Sequence, residues 1–500
     1  MLGLAAASPD PTPCRRADGC VSSSSVAKAK EEVCQDDDAS PGGKRLRYSE
    51  PDLPEDIWHH IHSLLPLRDA ARTACVSRTF LRSWSYHPHL IFNKHILGLN
   101  SKGCATDLIR TIDHVLKKHS GVNVKTLTLE LYDFPEVANA LCCQLDSWLE
   151  IAMRPGIEEI NLLMRMTSAY KFPCRLLSDR IRKSIRCLKL FFCDFRPTVK
   201  LGPFKNLAML CLCHVGLNEY DLVCLLSNTL ALEQLELITI DKLEFLEIPY
   251  QLQRLSCLTV SFCWKLYVLE IKAPNLRIIK LDVPKVERLS LGVSVELKRL
   301  HIYSPGFTCY ARSKLLSKVP NLDTLSLKLI DEVPPPDMLP SKFLRLKGLV
   351  FSLPGRAVSP SYDYFSLVSL LDSCPSLETL YLNVSHDCAG HGANSEDPSH
   401  PRQAPGQHHV GNLKSVTISG FCSATSLVEL TCYFLEMAAS LEHLTLNVHG
   451  EFYVLASGAC MPMYKGMLTE APRTLLAIRK YVQAKVPSTV KLNVSEPCGQ

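Results

Sequence analysis

Histidines and cysteines are the groups that could do chemistry in this chain, and their spacing argues against it. The 500 residues include 22 cysteines and 17 histidines. The densest cluster is His386, Cys388, His391, His400, His408 and His409. A zinc site needs closely paired ligands on a framework that holds them. These six are irregularly spaced in a stretch dominated by Gly, Pro, Ser and His, so residues 386–410 are expected to be a flexible insertion. Cys142-Cys143 and Cys211-x-Cys213 lack a second pair at zinc spacing. Cys187, Cys257 and Cys432 lie in apolar runs and read as buried free thiols. There is no GxSxG elbow, phosphate loop or HExxH helix. His301, His443 and His449 stand singly in strand-like phrases, as surface or packed residues. No catalytic residue, metal or cofactor is expected, and the chain does not read as an enzyme.

Composition narrows the class further. The chain is 46% hydrophobic and 21% charged, which is globular rather than disordered. Its formal charge of +5 is small for the length and shows no clustering of the kind phosphate binding needs, so no nucleic-acid partner is expected. No run approaches the ~18 apolar residues that span a bilayer, and the N-terminus lacks the pattern of a secretory signal, so no membrane association is expected. Nucleus and cytoplasm are the expected locations. Residues 1–49, rich in Ser, Pro, Ala and Asp, read as a disordered tail. Lys44-Arg45-Leu46-Arg47 within it is either a weak nuclear signal or a solvated linker run.

Two kinds of element must then account for function. The first lies in residues 52–84. Pro54 sits at a helix start, with Glu55 and Asp56 as favourable first-turn charges. Ile57, Ile61, Leu64 and Leu65 recur at helical spacing as one apolar face. Pro66 ends that helix. A second, from Leu67 to Cys75, carries a small stripe of Ala70, Ala71 and Ala74. Ser77 can cap a third, in which Phe80, Leu81 and Trp84 supply bulk. So short a module buries too little to be comfortable alone and should leave apolar groups for a partner. It resembles the F-box, in Leu53-Pro54-Glu55-Asp56-Ile57, Ile61, Leu64-Leu65-Pro66-Leu67-Arg68-Asp69-Ala70 and Val76-Ser77-Arg78. Phe80 stands where tryptophan is common. The resemblance implies docking on a Skp-type adaptor, and through it a cullin ligase core. The contacts would come from Leu53, Pro54, Ile57, Ile61, Leu64, Leu65, Pro66, Leu67, Val76, Ser77, Phe80 and Trp84.

The second element is a repeat. LEQLEL from Leu232, LRIIKL from Leu276, LKRLHI from Leu297, LDTLSL from Leu322, LETLYL from Leu377 and LEHLTL from Leu441 are one phrase. Weaker copies start at Val124, Ile157, Ile185, Leu207, Leu346 and Leu413. Over most of the chain the spacing is roughly 22 to 36 residues, the period of a leucine-rich repeat. Alternation inside each phrase reads as a half-buried strand, and no copy can bury its apolar edge without stacking on its neighbours. Between about 255 and 302 the phrase recurs every ~10 residues, too short for a strand plus helix. A tight turn punctuated by Pro274 and Pro284 is the expected return there. The proline-rich segment 331–340 reads as a loop.

From Asn412 onward the pattern resembles the FBD-type ending of plant F-box/leucine-rich-repeat proteins. It would be a strand, a helix capped by Ser426, a strand from Leu441, a last helix at about Leu475 to Lys485, and a closing strand Val490 to Val494. The expected fold is α/β. Residues 50–95 form the small helical F-box module and 96–123 a helical linker. An irregular leucine-rich-repeat solenoid occupies 124–411, and FBD-like repeats with a cap occupy 412–495. The resemblance implies a substrate-recognition subunit of a ubiquitin ligase, which recruits a client protein on the exposed strand face. The outward positions include Lys189, Glu236, Glu270 and Lys280, with Arg299, His301, Tyr303, Lys328 and Tyr381 as the candidate client contacts. A hormone-like small-molecule receptor and a non-degradative scaffold are the alternatives.

Overall fold

A computed structural model of the chain describes residues 53–76, 78–93, 105–131, 141–164, 170–197, 201–284, 286–292, 296–303, 319, 321–328, 343–353, 362–371, 373–384, 410–448 and 465–495. The expected tail, Ser77, His449, the 331–340 loop and all of the 386–410 insertion except Val410 lie outside them. Leu53–Gln500 form one compact unit.

Three short helices open it: α1 (Glu55–Ser63), α2 (Leu67–Ala74) and α3 (Arg78–Trp84). Pro54 and Pro66 precede the first two as N-caps. The Pro54 carbonyl accepts from the Ile57 and Trp58 amides at 3.0 and 3.2 Å, and that of Pro66 from the Ala70 amide at 2.9 Å. Proline is tolerated there because its missing N–H would have had no helical partner. Ala70 and Ala74 are buried, as small residues at a close helix contact should be.

A 15-stranded sheet follows, in which every neighbouring pair is parallel. Each LxxLxL phrase becomes one strand, its last two apolar residues buried and the residue between them facing out, as in Gln234–Ile238. Leu235, Leu258, Ile279, Leu300, Leu325, Leu349 and Leu380 stand in register as one inward row. Helices such as Cys142–Ala152, Glu219–Ser227 and Thr425–Met437 cover the inward face, and the core lies between the two layers. Strands sit about 4.8 Å apart and packed helices about 8–10 Å apart, so the sheet takes the inside of the curve.

Four expectations are corrected. The sheet begins not at 124 but at β1 (His89–Phe92), within the segment assigned to the F-box; β1 pairs with β2 (Thr126–Leu131). One strand of four residues after a proline carries too little pattern to be recognised alone. The ~10-residue recurrence is not a strand with a tight-turn return. Alternate copies form a second, three-stranded parallel sheet, Phe245–Ile248, Val268–Ile271 and Arg288–Leu291, on the opposite side of the coil. The main-sheet partners Leu258, Ile279 and Leu300 are therefore spaced by an ordinary repeat length. Period 2 is the same on both sides of a coil, so pattern could not tell them apart. Ser426 does not cap its helix, which starts at Thr425 after Ala424. Its hydroxyl donates to the Tyr362 carbonyl and accepts from the Tyr364 amide, both at 3.2 Å, tying the preceding coil to the helix. The last helix starts earlier than expected, at Lys465, and continues through Ile478–Val482 to Gln483–Lys485. The final strand Lys491–Ser495 pairs with His443–Asn447.

Gly420 ends the strand Ser415–Ser419 with φ +71°, and a Cβ there would lie 1.8 Å from the Val384 carbonyl oxygen. The obstacle is backbone, which cannot rotate away. Gly420→Ala is expected to cost at least about 3 kcal/mol, read as a lowered urea midpoint. A midpoint within error of the parent would refute this close packing of coil on coil.

Candidate functional site

On α1 the apolar stripe faces the wrong way for a self-sufficient module. Ile57, Ile61 and Leu64 are exposed, while the buried residue of the helix is His62. Leu53, Pro54, Pro66 and Val76 are exposed too, and Leu65, Phe80 and Trp84 are half-buried. Leu64 and Val76, at 71% and 84% exposure, are more open than Leu53, Ile57 and Ile61. Leu67 is different: it is 5% exposed and part of the core. Its side chain therefore holds the module to the solenoid and presents no surface to a partner. Trp58 meets Phe80 edge-on at 5.3 Å, which braces α1 against α3.

Histidines fasten this module to the first repeat, a role sequence reasoning missed. The His62 ring lies 5.4 Å from Phe80 and 5.7 Å from His87, and its Nε2–H donates to the Ala70 carbonyl at 3.0 Å. His87 Nε2–H donates to the Leu65 carbonyl at 3.1 Å, and its Nδ1 accepts from the His89 amide at 3.2 Å. His119 repeats the pattern one element further on. It donates to the His87 carbonyl at 3.0 Å and accepts from the Gly121 amide at 2.9 Å. A ring nitrogen that accepts from an N–H cannot also carry a proton, so both geometries require neutral rings. Burial adds to this. It lowers the pKa of His62 and His119 below the usual imidazole range and that of His87 to about 4. The only sequence signal was the run of histidines His59, His60, His62, His87 and His89, which on a helix and strand reads as surface.

On the face of the sheet turned away from the helices, the candidate client contacts fall on three strands. Arg299, His301 and Tyr303 share Arg299–Tyr303, Lys328 lies on the adjacent Thr324–Lys328, and Tyr381 on Thr379–Val384. Tyr303 and Lys328 are register partners, and the Lys328 ammonium sits 4.0 Å over the Tyr303 ring. His301 lies opposite Ser326, with Nδ1 2.6 Å from its hydroxyl. Tyr381 is two strands beyond Lys328, about 10 Å across the ladder, and is not part of that cluster. Lys189, Glu236 and Lys280 also face outward. Glu270 does not: it lies on the second sheet and bridges to Lys272 and Arg288 at 3.6 and 3.5 Å.

One residue of this face was overlooked. Asp282 shares a row with Tyr303 and Lys328. Its Oδ1 is buried and has no hydrogen-bond partner among the described residues. Burial pushes its carboxyl up to about 6, and the nearby Lys328 only partly opposes the shift. A trailing Asp after LRIIKL looks like the polar residue of a turn, and only the register puts it in one row with Tyr303 and, two strands away, Lys328.

Among the described residues, no group of three or more His, Cys, Asp or Glu is disposed to hold a metal ion, and no helix is long and apolar enough to cross a membrane. Cys193, Cys211, Cys213, Cys263 and Cys374 are buried free thiols. Burial raises the pKa of Cys213 and Cys263 to about 11 and that of Cys374 to about 12, so they are packing residues rather than nucleophiles.

A three-helix module with an outward apolar stripe, fused to a parallel leucine ladder, defines an F-box/leucine-rich-repeat protein. An F-box model matches residues 51–92, and a model of the At1g61320/AtMIF1 leucine-rich-repeat domain matches residues 115–499. The chain belongs to that At1g61320/AtMIF1 leucine-rich-repeat family. Relatives come from Arabidopsis thaliana. The F-box/FBD/LRR-repeat protein At1g13570 is 25% identical over 353 residues, 67% of this chain and 75% of its own. The putative F-box/FBD/LRR-repeat protein At5g56810 is 26% identical over 441 residues, 79% of this chain and 89% of its own. The names of both carry the FBD region expected at the C-terminus. Among solved structures, an internalin from Listeria monocytogenes aligns over 79% of this chain and 95% of its own at 13% identity and a TM-score of 0.30, too low to carry an argument.

Proposed function

We propose that this chain is the substrate-recognition subunit of a Skp–cullin–F-box ubiquitin ligase, acting in the nucleus or cytoplasm. It docks a Skp-type adaptor through the helical module and recruits a client protein on the open strand face. The observation that carries the reading is the inverted α1. Its Ile57, Ile61 and Leu64 face solvent, where apolar groups are costly unless a partner covers them. The role is non-catalytic: this chain binds and orients, and the transfer of ubiquitin belongs to its partners.

Two further features support it. Leu67 and the histidine chain anchor the docking module to the solenoid, so a bound client keeps a fixed place relative to the adaptor. The strand ladder in turn offers a broad face on rigid elements, the usual binding surface of a solenoid. In a ligase reconstituted with the full chain and adaptor, Tyr303→Ala and Tyr381→Ala, made singly, should each weaken capture of a ubiquitinated client by ~2 kcal/mol while adaptor binding is kept. A client bound equally well by both variants would move the recruiting site off the strands.

A further inference from the structure

Charge is distributed unevenly over the open face. On the four strands from Gly348–Leu353 to His443–Asn447 the outward positions hold no Lys, Arg, Asp or Glu. The strand Cys257–Ser261, on the other flank, holds none either. Between them three adjacent strands carry Lys280, Asp282, Arg299 and Lys328, so three cations and one carboxylate form an island in a neutral surface. Burial lowers the pKa of His301 below the usual imidazole range, and the nearby Lys280 and Lys328 lower it further.

Resting on the client-recruiting role above, we propose that this island is the charged part of the recruiting face and that it takes an extended acidic segment of the client, several carboxylates along one chain, running along the three strands. The spacing of the cations decides against a small anion. Along and across the ladder, Lys280 and Arg299 are about 8 Å apart and Arg299 and Lys328 about 14 Å. One phosphate or carboxylate cannot reach all three. An extended chain places every second side chain about 7 Å apart, which matches the nearer pair and spans the farther one. A cationic segment would be drawn to the unpartnered Asp282 oxygen but would meet three like charges around it. Asp282 instead competes with the acidic client for Lys328, and so penalises a segment bound out of register.

The test is fluorescence anisotropy with the full chain and three labelled octapeptides of alternating Glu-Ser, Gln-Ser and Lys-Ser. Glu-Ser should bind, more weakly as salt rises. Lys328→Gln combined with Arg299→Gln should weaken it by roughly tenfold or more. Asp282→Asn should tighten it several-fold. Lys189→Gln, on the same face but outside the island, should change nothing. Unchanged melting temperatures would show that each variant is folded. Glu-Ser binding no better than Gln-Ser, or surviving the double substitution, overturns the proposal. So does Lys-Ser binding that is lost in Asp282→Asn. If a crosslinked client is lost on Tyr303→Ala while the double variant keeps it, the acidic class fails and the strand-face role stands. If neither variant affects the client, both fail.

Discussion

Leu64→Glu combined with Val76→Glu is expected to abolish adaptor binding while leaving the melting temperature of the chain unchanged. Both side chains are mostly exposed, at 71% and 84%, so the fold loses no packing when they are replaced. In a complex each apolar side chain would contribute about 1.5–3 kcal/mol on burial. A carboxylate forced into the same contact without a partner costs several more. The double change should therefore lower affinity by well over a hundredfold, below detection in co-purification. Ile57 and Ile61 are less suited to the experiment, since at 41% and 36% exposure more of each side chain is covered within the chain. Undiminished co-purification of a Skp-type adaptor with this variant would remove the docking assignment. A drop in melting temperature would instead show that the two side chains pack within the chain.

Acid should release the docking module from the solenoid. His62, His87 and His119 are all held neutral, with folded pKa values below the 6.5 of free imidazole. A depressed histidine binds fewer protons folded than unfolded, so stability is complete above about pH 6.5 and falls as pH drops toward the folded value. For His87, whose folded pKa is about 4, the loss reaches about 2 kcal/mol by pH 5. His62 and His119 add to it in the same direction. Most carboxylates titrate below this window, which separates the two effects. The check is a set of urea titrations between pH 7.5 and 5 on the parent and on His87→Gln. The variant should start less stable and show a flatter profile. A variant profile parallel to the parent's would mean that His87 is not the source.

Much of this architecture follows from pattern alone, and the places where pattern fails are instructive. The leucine phrases located twelve of the fifteen main strands, because an apolar residue at every second position fits only a strand with one buried face. What the pattern could not say is which layer a strand joins. LYVLEI around Leu269 and LRIIKL around Ile279 look alike, yet one lies on the second sheet and the other on the first. The choice depends on the direction in which each turn carries the chain, and that is fixed only when neighbouring coils stack.

The docking module shows the same division. The α1 stripe of Ile57, Ile61 and Leu64 was visible in the sequence, as were the prolines that set its helix starts. Amphipathicity identifies an apolar face but not whether the chain itself will cover it. Tertiary structure decided that this face stays open and that Leu67, counted with it in sequence, goes inside. It also decided that histidines do the fastening, since His87 and His119 need carbonyls contributed by residues distant in sequence. Asp282 and Lys328 illustrate the last step. They are far apart in the chain, and their two strands become next-but-one neighbours only through the strand between them. Local sequence therefore set which residues form strands and helices, whereas the stacking of coils set which charges meet, because register is a long-range property that no single repeat contains.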